Sequence, residues 1–122
     1  MHMDGYFNAN DEPAISLDVG PREIEFLVDT GFTGGLMIPE GLAKDLDIKY
    51  RGALEEFYSV TGEPILVSSY SMEINWLGQK ITTAVATSSQ VREAILGGHM
   101  LRDCCLTIDY GRRAVLIAES SL

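Results

Sequence analysis

Short apolar segments, each ended by turn residues, recur along the whole 122-residue chain. From Ala14 to Val19 apolar and polar residues alternate, which is typical of a strand with one buried face. Farther along, Tyr70, Met72, Ile74 and Trp76 fall on one side of a longer strand. Glycine and proline separate these segments and mark turns. The pattern predicts an all-β chain that closes into a small barrel or sandwich, with little helix.

The sequence also gives expectations for two helical segments, a hairpin near the C-terminal end and the N-terminal segment. Glu40 to Leu46 is expected to form one or two helical turns, and His99 to Asp103 a short helix. Leu106 to Tyr110 and Ala114 to Ile117 are expected to form a terminal hairpin. The N-terminal segment, Met1 to Asp11, is polar and is expected to be loose.

Size and charge limit the classes of protein to which the chain can belong. A length of 122 residues predicts a single domain, residues 1–122, with one real core. The net charge of −9 repels phosphate backbones, so no nucleic-acid partner is expected. No apolar run is long enough to span a bilayer, so no membrane partner is expected either.

The cysteines and histidines give no sign of a metal site. Cys104 and Cys105 are adjacent, and a disulfide between neighbours is strained and closes no useful loop. Both are therefore predicted to be reduced, which favours an intracellular, cytoplasmic protein. The histidines are His2 and His99, and no Cys/His spacing suits zinc. No metal and no other cofactor is expected.

The chemistry of the chain is expected at Asp29-Thr30-Gly31, where the apolar strand Ile24 to Val28 runs into a glycine turn. The tripeptide alone indicates only a turn, since Asp and Gly are common there. Two carboxylates in contact, however, share a proton, so that one can accept a proton from water while the other donates. Because the chain has one such tripeptide, it can form this pair only across a two-fold axis, where Asp29 meets its own copy.

The two residues after Asp29 suit such a pair. The hydroxyl of Thr30 could donate a hydrogen bond into the partner chain and hold the two loops together. Gly31 allows a close approach of the backbone, and its N–H could point at a carboxylate oxygen. Asp29, Thr30 and Gly31 are therefore the candidate catalytic residues.

With these residues in view, the chain resembles the retropepsin-like (clan AA) aspartic proteases over nearly its whole length, from Ile15 to Ile117. Val28 to Gly34, which reads Val-Asp-Thr-Gly-Phe-Thr-Gly, is similar to the microbial single-domain type that carries Phe after Asp-Thr-Gly. Ile95-Leu96-Gly97 matches the second signature of the family, two apolar residues and glycine. The resemblance implies a closed acid-protease barrel with one short helix, and a homodimer that cleaves peptide bonds by water activated between two Asp29 carboxylates.

The resemblance also implies how substrate and partner bind. A β-hairpin flap, here the hairpin from Val60 to Glu63, would close over an extended peptide or protein substrate. Interleaved terminal strands would hold the dimer, and Ala114 to Ile117 is apolar enough for this role. The residues expected to contact substrate are Phe32, Tyr58, Val60, Thr61, Gly62, Ile95 and Gly97.

The chain departs from the family at two places, and these leave other interpretations open. Phe32 stands where Ala or Ser is usual, so its ring either narrows the cleft or packs into the core. Gly98 and His99 replace an Arg followed by Asn or Asp, and Arg102 could supply the missing charge. A second interpretation is therefore a catalytically silent retropepsin-like module that dimerises or binds extended peptide. A third is an unrelated small β-barrel with a chance Asp-Thr-Gly.

Overall fold

The computed structural model describes residues 1–46, 49–58 (main chain only) and 61–121. This part of the chain forms ten strands and one helix. In chain order they are β1 (His2–Phe7), β2 (Pro13–Val19), β3 (Arg22–Val28), β4 (Leu36–Pro39), α1 (Glu40–Asp45), β5 (Lys49–Tyr58), β6 (Pro64–Trp76), β7 (Gln79–Ser88), β8 (Ile95–Leu96), β9 (Cys104–Asp109) and β10 (Ala114–Glu119). These ranges contain no helix that is long and apolar enough to cross a membrane.

Six of the strands close into a barrel. The order in the sheet is β5-β6-β7-β4-β8-β3-β2-β1-β10-β9, and β2 pairs a second time with β6, where Val19 lies opposite Ile74. This second pairing closes the ring β6-β7-β4-β8-β3-β2. β5 extends the sheet on one side of the barrel, and β1, β10 and β9 extend it on the other. The prediction of an all-β, closed barrel with one short helix is confirmed.

The alternating pattern of β2 explains how the barrel is filled. Ile15, Leu17 and Val19 are at most 2% exposed, whereas Asp18 between them is exposed to solvent. Apolar side chains from the other barrel strands meet them in one large buried cluster, of which Phe26 is the bulkiest fully buried member. Burial of this apolar area is the main contribution to the stability of the barrel.

β6 changes its buried side along its length. Val67 and Ser69 are buried in its first half, and the even-numbered residues from Met72 onward are buried in its second half. The second half faces the barrel core, as the alternation predicts. The first half contributes Val67 to a separate small cluster with Met37 and Ala86. We call this the small cluster, and it lies beside the candidate site.

The N-terminal segment is not loose, and that prediction is wrong. β1 pairs antiparallel with β10 from His2 to Tyr6 and with β2 at Tyr6 and Phe7. Both of its edges carry main-chain hydrogen bonds, while polar residues such as Asp4 lie on its exposed face. The polarity of the segment therefore reflects one solvated side of a strand rather than disorder.

The short helix expected from His99 to Asp103 is also wrong. The segment is a series of turns in which N–H groups donate to carbonyl oxygens three residues back, as from Leu101 to Gly98 at 3.0 Å. Asp103 then has a φ of 61° and ends the series, because a left-handed residue cannot continue a right-handed helix. The one helix of the described chain is α1, within the segment Glu40 to Leu46 where helical turns were expected.

The terminal hairpin is confirmed, but its expected role in dimerisation is not. β9 and β10 pair antiparallel from Cys104 to Asp109, as the sequence indicates. β10 also pairs with β1 on its other edge, so Ala114 to Ile117 has a strand of its own chain on each side. That this segment interleaves with a partner chain stays a prediction.

Candidate active site

Asp29 lies where β3 leaves the barrel. The last residues of β3 pair in parallel with β8, Leu27 with Ile95 and Val28 with Leu96. The main-chain N–H of Asp29 extends this pairing by donating to the carbonyl oxygen of Leu96, at 2.9 Å. The main chain of Asp29 is thus held by the barrel while the residue as a whole is exposed. A barrel strand therefore presents this carboxylate at the surface.

A tight turn orients the carboxylate. Gly31 donates its N–H to Oδ1 of Asp29 at 3.1 Å, and Phe32 donates its N–H to the main-chain oxygen of Asp29 at 3.1 Å. The first contact is the one that the sequence suggests for Gly31. A hydrogen bond to an ionised oxygen stabilises that oxygen and limits rotation of the side chain. Thr30 is exposed at the tip of the same turn.

The second signature braces this turn through the main chain. The N–H groups of three successive residues that follow β8 donate to carbonyl oxygens of the loop after Asp29. These hydrogen bonds run from Gly97 to Gly35 (2.7 Å), from Gly98 to Phe32 (2.8 Å) and from His99 to Gly34 (3.1 Å). Backbone amides thus connect the two loops at the place where the resemblance implies a charged side chain.

The sequence left open whether the Phe32 ring narrows the cleft or packs into the core, and the structure shows that it does both. Its half-buried ring packs against the small cluster, and it also lines the cleft beside the turn. The ring lies against two glycines, because a Cβ on Gly97 would come within 2.5 Å of Cδ2 and a Cβ on Gly34 within 2.9 Å of Cε1. Phe32 and the two glycines therefore fit one another as a unit.

The cleft beside the turn has a volume of about 360 Å³. It is lined by Phe32, Thr33, Gly34, Gly35, Leu36, Ser69, Thr83, Ala84, Ala86 and His99. The Asp29 side chain does not line it, but the loop that follows Asp29 forms one wall. The lining combines apolar side chains with the hydroxyls of Thr33, Ser69 and Thr83.

Arg102 contacts His99 rather than the Asp29 turn. Its Nη2 lies 3.3 Å from Nε2 of His99 on the exposed side of the turns. A guanidinium can only donate, so Arg102 is the donor of any hydrogen bond in this contact. His99 lines the cleft, so its contact with Arg102 places the charge of Arg102 near the rim of the cleft.

The hairpin expected to act as a flap is present. β5 and β6 pair antiparallel as far as Tyr58 opposite Pro64. Thr61 and Gly62 at the turn are exposed, and Gly62 has a φ of 83°. The side chain of Tyr58 and the whole of Val60 lie outside the described residues.

The structure separates the other residues expected to contact substrate. Ile95 is half-buried between β3 and β4, and its side chain packs against the small cluster. Gly97 is buried behind the Phe32 ring. Of the expected set, only Phe32 among the described side chains lines the cleft.

Sequence reasoning did not select the rest of the cleft wall. Thr83, Ala84 and Ala86 lie on β7, and Ser69 faces them from β6. The available signal was the run of small residues near the end of β7, which leaves space that larger residues would fill. Without the pairing of β4 with β7, nothing in the sequence places that run beside Asp29.

Cys104 is poorly suited to act as an alternative nucleophile. Both cysteines are free, with Cys104 half-buried against the barrel core and Cys105 exposed. Burial raises the pKa of the Cys104 thiol, and the negative charges of Asp103 and Glu119 raise it further. A thiol with a raised pKa is a poor nucleophile at neutral pH. The described residues also contain no group of three or more His, Cys, Asp or Glu side chains that could hold a metal.

Comparison with known proteins places this geometry in a structural class. No model of a known protein family matches the chain, and no curated protein matches its sequence. Solved structures do match. A retropepsin-like aspartic protease from Rickettsia conorii has a TM-score of 0.69 and 16% identity, covering 95% of this chain and 98% of that one.

Two viral proteins give the same result. The EIAV protease, solved with the inhibitor HBY-793, has a TM-score of 0.62 at 23% identity and covers 80% of this chain and 91% of its own. The protease of simian foamy virus (mac) has a TM-score of 0.52 at 15% identity, with 73% and 91% covered. A small β-barrel of a different fold does not fit these matches. The chain has the retropepsin-like fold.

Proposed function

We propose that this protein is an aspartic endopeptidase that works as a homodimer and activates water between two Asp29 carboxylates. The observation that carries the proposal is the setting of Asp29. An exposed carboxylate is fixed by main-chain hydrogen bonds at the end of a barrel strand, in a retropepsin-like fold. Each chain supplies one such group, so the pair requires two chains.

The reaction follows from a pair that holds one proton. The ionised carboxylate accepts a proton from water as the water oxygen bonds to the carbonyl carbon of the peptide, and the protonated carboxyl donates its proton to the carbonyl oxygen. The carboxyl that took the proton from water then gives it to the nitrogen, a hydroxyl of the tetrahedral intermediate returns its proton to the other carboxylate, and the C–N bond breaks. One water is consumed, the products are a carboxylic acid and an amine, and the pair again holds one proton.

The neighbouring residues take supporting roles in this proposal. The Gly31 N–H fixes one oxygen of Asp29, and the exposed Thr30 hydroxyl would donate across the two-fold axis. An extended peptide would lie along the cleft beside Phe32, under the hairpin whose turn contains Thr61 and Gly62. A closing hairpin would exclude water from the pair and donate main-chain hydrogen bonds to the peptide.

The test is cleavage of a diverse peptide library across a range of pH by wild type, Asp29→Asn and Asp45→Asn. Asn keeps the oxygen that accepts the Gly31 N–H, so Asp29→Asn removes the charge and leaves the turn intact. Asp45 is an exposed carboxylate at the end of α1, 3.7 Å from the exposed Arg22 guanidinium, and is the matched control. We expect cleavage strongest at acidic pH, lost in Asp29→Asn and retained in Asp45→Asn.

Two results would contradict the proposal. Cleavage that persists in a clean preparation of Asp29→Asn would show that another group does the chemistry. No cleavage at any pH by a folded, dimeric wild type would instead indicate the catalytically silent peptide-binding module.

A further inference from the structure

The cleft beside the Asp29 turn contains hydrogen-bond donors but no carboxylate. The donors among its lining side chains are three hydroxyls and the imidazole of His99. None of the described lining residues is Asp or Glu, although the chain contains 18 acidic residues. The acidic surface of the protein is therefore interrupted at this cleft.

One of the three hydroxyls, that of Ser69, opens onto the cleft from an otherwise buried residue. Ser69 is 6% exposed, and its hydroxyl forms no hydrogen bond with another described residue. No fully enclosed side-chain N or O atom of the described chain lacks a partner, so the Ser69 oxygen must be open to the cleft that it lines. A molecule in the cleft that accepts a hydrogen bond would therefore satisfy this donor.

His99 is held at the cleft by the loop that follows Asp29. Its N–H donates to the carbonyl oxygen of Gly34 at 3.1 Å. A Cβ on Gly35 would lie 3.7 Å from Cδ2 of its ring. Since both glycines line the cleft, the position of the imidazole is set by the loop that also orients Asp29.

Arg102 adds a permanent positive charge beside His99. Its main-chain N–H donates to the carbonyl oxygen of His99 at 3.5 Å, and its Nη2 lies 3.3 Å from Nε2 of the ring. Four other Arg and Lys side chains of the described chain each pair with a carboxylate, whereas Arg102 forms no ion pair with a described carboxylate. Its charge is therefore not neutralised at the rim of the cleft.

Together these groups favour a carboxylate as the group that the cleft recognises. An ionised carboxylate only accepts hydrogen bonds, so it can pair with the Ser69 hydroxyl or the donors at the rim, and its charge is opposite to that of Arg102. A lysine side chain would instead place a second cation beside Arg102. The net charge of −9 attracts cationic peptides from a distance, but charges farther away than about 8 Å are largely screened at physiological ionic strength. The groups at the cleft therefore decide which side chain is accepted.

We propose that the cleft selects peptides with an acidic side chain, glutamate or aspartate, at one position near the cut bond, and that Arg102 is the residue that determines this specificity. This inference rests on the proposed function, and it names the class of substrate. His99 keeps the Arg102 charge at the rim, and Ser69 supplies a neutral donor within the same cleft.

Matched peptides test this preference. A sequence that wild type cuts is synthesised with Glu, Gln or Lys at each position in turn. Cleavage is measured at about pH 6, where a glutamate side chain with its ordinary pKa of about 4.3 is ionised. At one position we expect kcat/KM for Glu to exceed that for Gln about fivefold, the scale of an ion pair at a solvent-accessible rim. The ratio should decrease at high salt, because exposed charges are screened.

Substitutions of Arg102 test the residue. Arg102→Gln should bring the ratio of kcat/KM for Glu and Gln peptides close to one, and Arg102→Lys, which keeps the charge, should retain most of the preference. Arg112→Gln is the matched control, since it removes an exposed arginine that does not line the cleft and changes the net charge equally. It should keep the wild-type ratio. A merely structural role of Arg102 would lower kcat/KM for both peptides alike and leave their ratio unchanged.

The possible results separate this inference from the proposed function. Cleavage that depends on Asp29, with Gln or Lys accepted as well as Glu at every position, would overturn the inference and leave the proposed function standing. If no peptide is cut, retention of the peptide library on immobilised wild type replaces cleavage as the measurement. Enrichment of Glu and Asp peptides that is lost in Arg102→Gln would then support acidic recognition while the proposed function fails. Retention without that enrichment, or no retention, would overturn both.

Discussion

At Gly97 the main chain lies so close to the loop after Asp29 that a side chain has no room. A Cβ there would meet the Phe32 carbonyl oxygen at 2.5 Å as well as the Phe32 ring. At the next residue, Gly98, the nearest atom would be that same carbonyl oxygen at 3.7 Å, an ordinary contact. Gly97, which ends the second signature, must therefore be glycine for reasons of space, whereas Gly98 directly after it has room for a side chain.

This difference predicts unequal effects of alanine at the two positions. Gly97→Ala should destabilise the protein by about 1–3 kcal/mol, because backbone atoms on both sides must shift. Gly98→Ala should change stability by no more than about 0.5 kcal/mol. Urea unfolding followed by circular dichroism measures both free energies. Equal losses at the two positions would show that the brace between the loops does not depend on the close approach at Gly97.

Phe32 supports the same loop from the other side. Phe32→Ala should cost about 1–3 kcal/mol, less than the loss of a fully buried ring, because half of the ring faces the cleft. Leu66→Ala is the control, since Leu66 is 67% exposed and should tolerate truncation. Urea unfolding measures both free energies of unfolding.

If the cleft binds substrate, Phe32→Ala should also broaden the range of side chains accepted next to the cut bond. The cleavage profile of a peptide library would reveal this change.

At the scale of single residues, the sequence identified the loop but not its packing. Asp29 and Gly97 could be selected because their neighbours form recognisable signatures. The two alternatives for Phe32 could not be separated, because its surroundings come from residues far away in the chain, such as Val67 and Ala86. Periodicity gives the side of a strand that is buried, but not which strand lies opposite.

Among the elements, β1 shows most clearly how distant pairing decides a structure. Local polarity predicted a loose segment, yet its partners β2 and β10 provide hydrogen bonds along both edges. The strands that were predicted correctly, such as β2 and the second half of β6, carry their signal in their own alternation. The helix predicted from His99 to Asp103 is instead a series of turns, which ends at Asp103, where φ is 61°.

The hydroxyl of Tyr6 connects β1 to β2 and β3. Burial raises the pKa of Tyr6; the Ser16 hydrogen bond opposes this rise, and Glu25 adds to it. A tyrosine whose pKa is higher in the folded state holds its proton more tightly there. Its contribution to stability is therefore complete below the pKa of the unfolded chain, near 10, and is lost as the pH rises through the folded value.

Tyr6→Phe should accordingly destabilise the protein at pH 8 by about 1 kcal/mol for each hydrogen bond lost. The difference between wild type and Tyr6→Phe should shrink as the pH is raised above about 10. Urea midpoints at several pH values measure it, and other tyrosines cancel in the comparison. A difference that stays constant up to strongly alkaline pH would mean that the Tyr6 proton does not contribute to the attachment of β1.

At the scale of the whole molecule, the structure shows the complete order of the strands, which the sequence does not give. Counting Asp-Thr-Gly tripeptides gives one carboxylate per chain, so a site shared by two chains could be proposed from the sequence. The surroundings of β10 could not be predicted, because β1 and β9, which pair with its two edges, lie far from one another in the chain. Which edge of a sheet stays open depends on the complete order of strands, and this order is set by pairings between residues as far apart as His2 and Ala118.

If each active site needs an Asp29 from both chains, then adding an inactive chain should lower the peptidase activity of the wild-type chain. Asp29→Asn keeps the turn and every other surface, so it should pair with wild type as readily as wild type does with itself. With equal amounts and free exchange, half of the wild-type chains would be in mixed dimers. Peptidase activity should then fall to about half of that of the same wild-type concentration alone. A mixed dimer has only one Asp29 carboxylate and cannot both accept and donate a proton.

Initial rates of peptide cleavage at increasing concentrations of Asp29→Asn measure this effect. Asp45→Asn, which keeps Asp29, is the control and should leave the rate no lower. A rate unaffected by added Asp29→Asn, in mixtures shown to exchange chains, would mean that one chain holds the whole active site.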